Sequence, residues 1–199
     1  MPSVVARLIP RAPRARLALV VAVLSATSIV ALPSSAAAQG KEAGSSIFSP
    51  GYMDLGPTVG LGGIGEAGMA FGGRFERAIK RLPDLGNGTI GIQASVDIWN
   101  YNNRYVGTDY DFRYLNIGVT ANYHFDVKSN PKLDPFFGLG LGNSSVSTDW
   151  AGDYSSGIYF IGRAGLRYFM KPRLALYGDV GAGASTLNVG VTFGLGGGK

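Results

Sequence analysis

The residue types that carry most enzyme chemistry are scarce in this chain of 199 residues, which has one histidine and no cysteine. His124 has the ring of a general base, but spacing places only Asp126 on its side of a strand and no serine beside it. One histidine without thiolates gives no ligand set for a transition metal. We therefore predict no catalytic residue, no metal site and no cofactor, and we interpret His124 as a hydrogen-bonded interior or interface histidine.

Acidic residues recur in two segments that also contain aromatic residues. Carboxylates at such short spacing have the oxygen ligands that hard cations prefer, but solvated acidic loops have the same composition. We interpret both segments, Tyr101–Asp111 and Thr148–Ser155, as loops suited to recognising a partner. The candidate recognition residues are Tyr105, Asp109, Asp111, Asp149, Trp150 and Asp153.

Two arginines lie four residues apart, and a glycine run matches a nucleotide-binding pattern. Arg163 and Arg167 have the charge to hold an anion, although ion pairs with acidic residues of neighbouring strands explain them better. The run Gly60–Gly65 reads G-x-G-x-x-G, but dinucleotide binding needs a helix after it. Gly-rich strand material follows instead, so we interpret these glycines as small residues in a tightly packed sheet.

The elements that position these residues have a period of two. Between Arg113 and Phe125, apolar residues alternate with Asn116, Thr120 and Asn122, as in a strand with one apolar and one polar face. The same alternation recurs and predicts eight strands, the first of them over Pro57–Ile64. No helical stretch is found, and the chain is expected to be all-β.

The polar faces of these strands indicate an inside-out arrangement. They are dominated by glycine, and lysine and glutamate are nearly absent from them, although a solvent-facing sheet would use those residues. Small residues suit the interior of a narrow closed barrel. We therefore predict lipid-facing aliphatic stripes around a polar interior network of Arg74, Glu76, Asp97, Arg163, Arg167 and Asp179.

The predicted connectors alternate in length, and aromatics cluster at strand ends. Lys80–Asn87, Val127–Asp134 and Met170–Arg173 are compact and contain proline, as the periplasmic turns of outer-membrane barrels do. Seven aromatics are expected to form interfacial girdles: Trp99, Tyr101, Tyr123, Phe125, Phe136, Tyr168 and Phe169.

The first 38 residues have the three parts of a secretory signal: a basic start, an apolar run over Leu17–Leu24 and the small residues Ala36–Ala38. They hold four of the 18 basic residues and none of the 13 acidic ones, so the remainder is nearly neutral and gives no indication of nucleic-acid binding. We predict a cleaved signal peptide over 1–38, a flexible lead-in over 39–51 and a barrel domain over 52–199.

Three segments resemble the small outer-membrane barrels of the OmpA/OmpX-like superfamily. They are Asp134–Gly142, the stretch Gly162–Tyr168 followed by Lys171–Tyr177, and Leu187–Phe193, and the similarity spans about residues 52–195. The resemblance implies an eight-stranded antiparallel up-and-down transmembrane β-barrel. It also implies that Asn188, Gly190, Phe193 and Leu195 form the signal read by the barrel-assembly machinery.

These patterns together predict a non-enzymatic protein integral to the bacterial outer membrane. Its barrel would be a structural anchor, and its surface loops would serve recognition or envelope integrity. Expected partners are outer-membrane lipids and lipopolysaccharide, the assembly machinery and periplasmic chaperones, with the loop partner unknown. A diffusive pore is disfavoured because eight strands leave no aqueous channel. The alternatives are a lipid-modifying outer-membrane enzyme with His124 as base, and a soluble periplasmic lipocalin-like binder.

Overall fold

The structure, a computed structural model, describes residues 46–63, 68–105, 108–148 and 157–196. Eight antiparallel strands make up nearly all of it, and a single 3-10 turn over Pro83–Leu85 is the exception. The strands are β1 (Met53–Gly63), β2 (Met69–Leu82), β3 (Gly88–Tyr105), β4 (Thr108–His124), β5 (Leu133–Thr148), β6 (Gly157–Lys171), β7 (Leu174–Ala182) and β8 (Ser185–Gly196).

Each strand pairs with its neighbours in sequence, and β8 pairs with β1, which closes the barrel. The closing seam joins Leu55 to Phe193 and Val59 to Val189. We call the end at which β1 begins and β8 ends the terminal end, and the other the loop end. The all-β prediction and the count of eight strands are confirmed. The first strand begins earlier than predicted, at Met53 instead of Pro57.

The two faces of the sheet have opposite chemistry. Large apolar side chains such as Phe71, Val119 and Leu141 are exposed on the outside, whereas Arg74, Glu76 and Asp97 are buried. A soluble barrel has the reverse distribution, so the lipocalin-like alternative fails. Within the described residues, no helix has the length and apolar character required to cross a bilayer.

Three of the aromatics assigned to girdles face inward, so that prediction is wrong for Trp99, Phe136 and Phe169, which are all buried. Each lies at an even spacing from an inward residue, as Trp99 does from Asp97, and therefore shares its face. Tyr123, Phe125 and Tyr168 face outward, and the side chain of Tyr101 lies outside the described set.

The segment Tyr101–Asp111 is not the long loop that its composition predicts. β3 and β4 remain paired as far as Tyr105 and Thr108, and only residues 106–107 separate them. This part of the sequence has polar residues at both odd and even positions. It therefore lacks the alternation of apolar and polar residues by which the other strands were predicted. In the other predicted loop, Thr148 ends β5, and the rest lies outside the described residues, as does the predicted signal peptide.

Residues 46–51 also depart from the expected flexible lead-in. The backbone of Gly51 donates to the carbonyl of Ala78, 3.0 Å away, and Tyr52 accepts from the same residue at 2.9 Å. Phe48 is completely buried and packs with Tyr52, Ala78 and Phe169. This stretch therefore packs against the terminal end of the barrel.

Placing a charge on the outer face tests the assignment of faces. Val119 lies midway along the apolar outer row of β4. Val119→Arg should therefore lower the free energy of unfolding of the barrel in phosphatidylcholine vesicles by about 2–4 kcal/mol. Urea titration of folding measures the loss. Val119→Leu is the control, and equal stability of the two variants would contradict the assignment.

Candidate functional site: the charged interior of the barrel

The barrel interior contains a large group of charged side chains, all within the described residues. Strand alternation turns five carboxylates, three guanidinium groups and one imidazole inward, and all are buried: Asp54, Glu76, Asp97, Asp134, Asp179, Arg74, Arg163, Arg167 and His124. Burying a charge without a partner is costly, so each must be paired or hydrogen-bonded. The pairs form two groups, one toward the terminal end and one deeper in the barrel.

Arg167 is the centre of the terminal group. Its guanidinium is 2.7 Å from a carboxylate oxygen of Asp54 and also forms an ion pair with Glu76. Its Nε lies 3.7 Å from Asp134. One cation from β6 thereby contacts acids on β1, β2 and β5, so its contacts reach across the lumen.

His124 joins two of these acids. Its Nδ1 is 2.9 Å from Oδ1 of Asp134, and its Nε2 is 2.8 Å from Oε1 of Glu76. Only the imidazolium form can donate from both ring nitrogens. Asn122 also donates to Glu76 at 2.8 Å, and Gln93 donates to the same carboxylate at 3.3 Å.

Phe48 covers this group from the terminal end. Its ring stacks on the imidazole of His124 with centroids 3.8 Å apart, and the guanidinium of Arg167 lies 4.9 Å from the ring centroid. Phe136 stacks on the same imidazole at 5.3 Å. Phe48 therefore contacts both the imidazole of His124 and the guanidinium of Arg167.

The deeper group contains the remaining charges. Arg74 contacts Asp97 at 3.0 Å and donates to the side-chain oxygen of Asn188 at 3.2 Å. Arg163 pairs with Asp179 and donates to the carbonyl of Ser185 at 2.9 Å. Asp179 also accepts from Asn188 at 2.8 Å and from the hydroxyl of Tyr177. Asn188 thus connects the two arginine–aspartate pairs.

Inward-facing glycines provide the space that these charged side chains occupy. A Cβ at Gly91 would lie 2.6 Å from Oε1 of Glu76 and 2.9 Å from the ring of Phe48. A Cβ at Gly72 would collide with the carboxylate of Asp97. Gly60, within the G-x-G-x-x-G run, lies in β1 against Ser185 and is not followed by a helix within the described residues.

The six predicted network residues all lie inside the barrel, where ion pairs connect them in the combinations given above. Sequence reasoning missed Asp54 and Asp134 as members. Each lies an even number of residues from an inward-facing glycine of the same strand, Asp54 from Gly56 and Asp134 from Gly138. Residues at even spacing share a face of the strand, so this spacing could have identified both acids. It also missed Phe48, because the lead-in has no periodicity.

The other candidate residues are placed differently. Asn188 and Gly190 face inward at the β1–β8 seam, while Phe193 and Leu195 are exposed on the outer surface. Tyr105, Asp109 and Asp111 lie on the paired ends of β3 and β4, where the structure describes only the backbone. Asp149, Trp150 and Asp153 lie outside the described residues.

The arrangement offers little for catalysis or metal binding. Both ring nitrogens of His124 are occupied by carboxylates, and the ring is buried beneath Phe48. No cluster of three or more metal-ligating side chains occurs among the described residues. The buried charges of the described interior are therefore paired with one another.

The fold and this interior define the class of protein. A closed eight-stranded barrel leaves no strand edge with unpaired backbone groups, and here the apolar side chains lie outside and the charges inside. Both features are what a bilayer requires of a spanning β-structure. The chain is therefore a membrane-spanning β-barrel of the outer-membrane type.

The fold is similar to solved structures of outer-membrane proteins. The outer membrane protein OprG of Pseudomonas aeruginosa superimposes with a TM-score of 0.51 at 9% sequence identity, covering 77% of this chain and 99% of OprG. Neisserial surface protein A gives 0.45 at 20% identity, covering 72% of this chain and 96% of its own. Ail of Yersinia pestis, in complex with the heparin analogue sucrose octasulfate, gives 0.41 at 14%, covering 72% and 93%. No family model and no curated protein matches the sequence.

Removing the central cation should destabilise the barrel. Arg167→Ala leaves Asp54 and Glu76 buried without their guanidinium partner, which should cost about 3–5 kcal/mol of folding free energy. Urea titration of the vesicle-folded barrel measures it. Arg113→Ala, at an exposed position of β4, should change stability by under about 0.5 kcal/mol. Equal losses in the two variants would contradict a central role for Arg167.

Proposed function

We propose that the protein is a non-enzymatic component of the bacterial outer membrane whose barrel is a sealed, rigid anchor. Its surface elements at the loop end would serve recognition or envelope integrity. The observation that carries this proposal is the interior, in which charged side chains from opposite strands pair across the lumen beneath an aromatic cover. Such an interior stabilises the barrel while leaving no route through it.

The blocked lumen supports an anchor over a channel. Arg167 and Arg74 occupy successive levels of the interior, Phe48 closes the terminal end, and Trp99 packs with Ala70 and Tyr114 toward the loop end. Eight strands enclose only enough space for their own side chains. A diffusive porin would need more strands and a hydrated interior.

The same contacts argue against the lipid-modifying alternative. A catalytic base must reach the proton it abstracts, and both nitrogens of His124 already face carboxylates. The group also lies at the terminal end, which in outer-membrane barrels faces the periplasm. A hydrolase acting on surface lipids would need its base near the opposite rim.

Recognition is proposed for the paired ends of β3 and β4 and for residues 149–156. β3 has 18 residues and β4 has 17, more than the 9–11 that span a bilayer. Their ends carry Tyr105, Asp109 and Asp111. Outer-membrane lipids and lipopolysaccharide are the expected surroundings, and the loop partner stays unidentified.

The outward side chains at the end of β8 support the proposed assembly signal. Phe193 and Leu195 are half exposed beside the closing seam, in a position to contact another protein before β1 pairs there. Asn188 and Gly190 also make contacts inside the barrel. Those contacts would explain these two residues even if no assembly protein recognised them. Recognition by the assembly machinery and by periplasmic chaperones therefore remains a proposal.

Fractionation and gel mobility test membrane location and barrel closure together. The expressed full chain should sediment with outer membranes, and unheated samples should migrate differently from boiled ones because the closed barrel resists detergent. The purified barrel should give no steady conductance in planar bilayers. A soluble chain without a heat-dependent shift, or a stable open channel, would contradict the proposal.

Trimming the loop end tests whether recognition is separate from folding. Replacing residues 149–156 with a short Gly-Ser turn, or shortening the β3–β4 hairpin beyond Asn102 and Asp111, should leave the heat-dependent shift intact, because the ion pairs of the interior lie elsewhere. Binding of the purified barrel to lipopolysaccharide should fall in the same variants. Loss of the shift would show that these segments are needed for folding.

A further inference from the structure

A short segment that precedes β1 lies across the terminal end of the lumen, and we call its residues 46–50 the cover. The carbonyl of Ser49 accepts from the backbone of Tyr52 at 2.9 Å, which closes a β-turn between them. The central residues of the turn are Pro50 and Gly51, and the φ of Gly51 is 91°. Proline followed by a residue of positive φ is the arrangement of a type II turn. This turn folds the cover back toward the lumen.

Phe48 is the side chain by which the cover contacts the terminal charged group. Its ring is completely buried, lies 3.8 Å from the ring of His124 between centroids, and has the guanidinium of Arg167 at 4.9 Å. Ala78, on the inward face of β2, belongs to the same buried cluster. Phe48 therefore packs on the charged group and on Ala78 together.

Little else in the described residues attaches the cover to the barrel. The hydrogen bond from the backbone of Gly51 to the carbonyl of Ala78, at 3.0 Å, lies at the edge of the cover. The amide of Phe48 donates to Oγ of Ser46 at 3.2 Å, a bond that stays inside the segment. Residues 46–50 contain no charged side chain, so they form no side-chain ion pair. Beyond the turn, the attachment is the packing of Phe48 and of the partly buried Ile47.

The surface beneath the cover is mainly charged, which lowers the cost of uncovering it. Displacing Phe48 would return water to Arg167, His124 and their carboxylates, and the hydration gained offsets part of the packing lost. A segment with few hydrogen bonds and few packed side chains opens at a lower free energy than the whole fold does. The pairing of β1 with β2 and with β8 starts at Met53, so it is independent of the cover.

We propose that the cover is a hinged lid, which swings at Gly51 and admits water and small solutes to the terminal charged group while the barrel stays closed. Access ends at that group, because Arg74 and Trp99 fill deeper levels of the lumen. The opening therefore gives entry from one end without a passage through the barrel. This inference goes beyond the proposed function and requires only the closed barrel.

The chain has no cysteine, so a single introduced thiol reports on access. Ala78→Cys places a thiol beneath the cover. Ala70→Cys places one on the same inward face of β2 beside Trp99, toward the loop end, and both alanines are buried. The folded full chain is treated with iodoacetamide and its mass is followed over time. Ala78→Cys should label at least about tenfold faster than Ala70→Cys, because the cover opens without global unfolding.

Two substitutions in the Ala78→Cys background test the stopper and the hinge. Phe48→Ala removes the ring contacts and should raise the labelling rate at least about tenfold. Gly51→Ala has room for its methyl group, since nothing lies within 4 Å, but it disfavours the positive φ of the closed turn. It should raise the rate about fivefold or more. Ser49→Ala, whose backbone carbonyl still accepts in the turn, is the matched control and should label at the parent rate.

Several results would overturn the lid. Equal labelling of the two thiol reporters would show that the cover opens only when the barrel unfolds. A rise at position 70 as large as that at position 78, or no rise at position 78 in either variant, would do the same. If Ser49→Ala matches Gly51→Ala, the hinge is wrong. Should Phe48→Ala lose the heat-dependent gel shift, Gly51→Ala decides the outcome.

Two further results concern the proposed function and leave the lid standing. Steady conductance of Phe48→Ala in planar bilayers would overturn the sealed lumen, because the deeper charged group should still block it. A chain that shows the predicted labelling and the heat-dependent shift but does not sediment with outer membranes would overturn the membrane location.

Discussion

The burial of charge inside a closed barrel is the constraint on which the rest of this structure depends. Arg167 contacts Asp54 and Glu76, and His124 connects Glu76 to Asp134, so five strands share one buried group of charges. Removing Arg167 would leave Asp54 buried without its ion-pair partner. The ion pairs thereby favour one register around the barrel, since a slip of one residue would turn these side chains toward lipid.

The composition of the strands follows from that interior. Long charged side chains can cross a narrow lumen only where the facing positions are small, and a Cβ at Gly91 would collide with Glu76. On the outside the requirement is reversed, and bulky apolar residues such as Phe71 and Leu141 are exposed. The inward glycines therefore have a common cause, which is the space that the charged side chains need.

A filled interior also decides where function can reside. His124 and its carboxylates are covered by Phe48, so the most polar part of the molecule faces neither solvent nor lipid. Interaction with other molecules is left to the outer surface and the two ends. The two ends differ in composition. Exposed lysines lie at the terminal end, whereas the paired ends of β3 and β4 at the loop end contain tyrosines and aspartates.

The sequence by itself determined the all-β class, the eight strands and the inward face of Arg74, Glu76, Asp97, Arg163, Arg167 and Asp179, because strand alternation is a local property. It did not determine which acid meets which arginine. Those partners lie up to 113 positions apart, as Arg167 and Asp54 do, and only the closed register brings them together. The position of Phe48 was equally hidden, because a segment without periodicity reveals no buried face. Tertiary structure decided these contacts, since barrel closure alone fixes which strands face one another across the lumen.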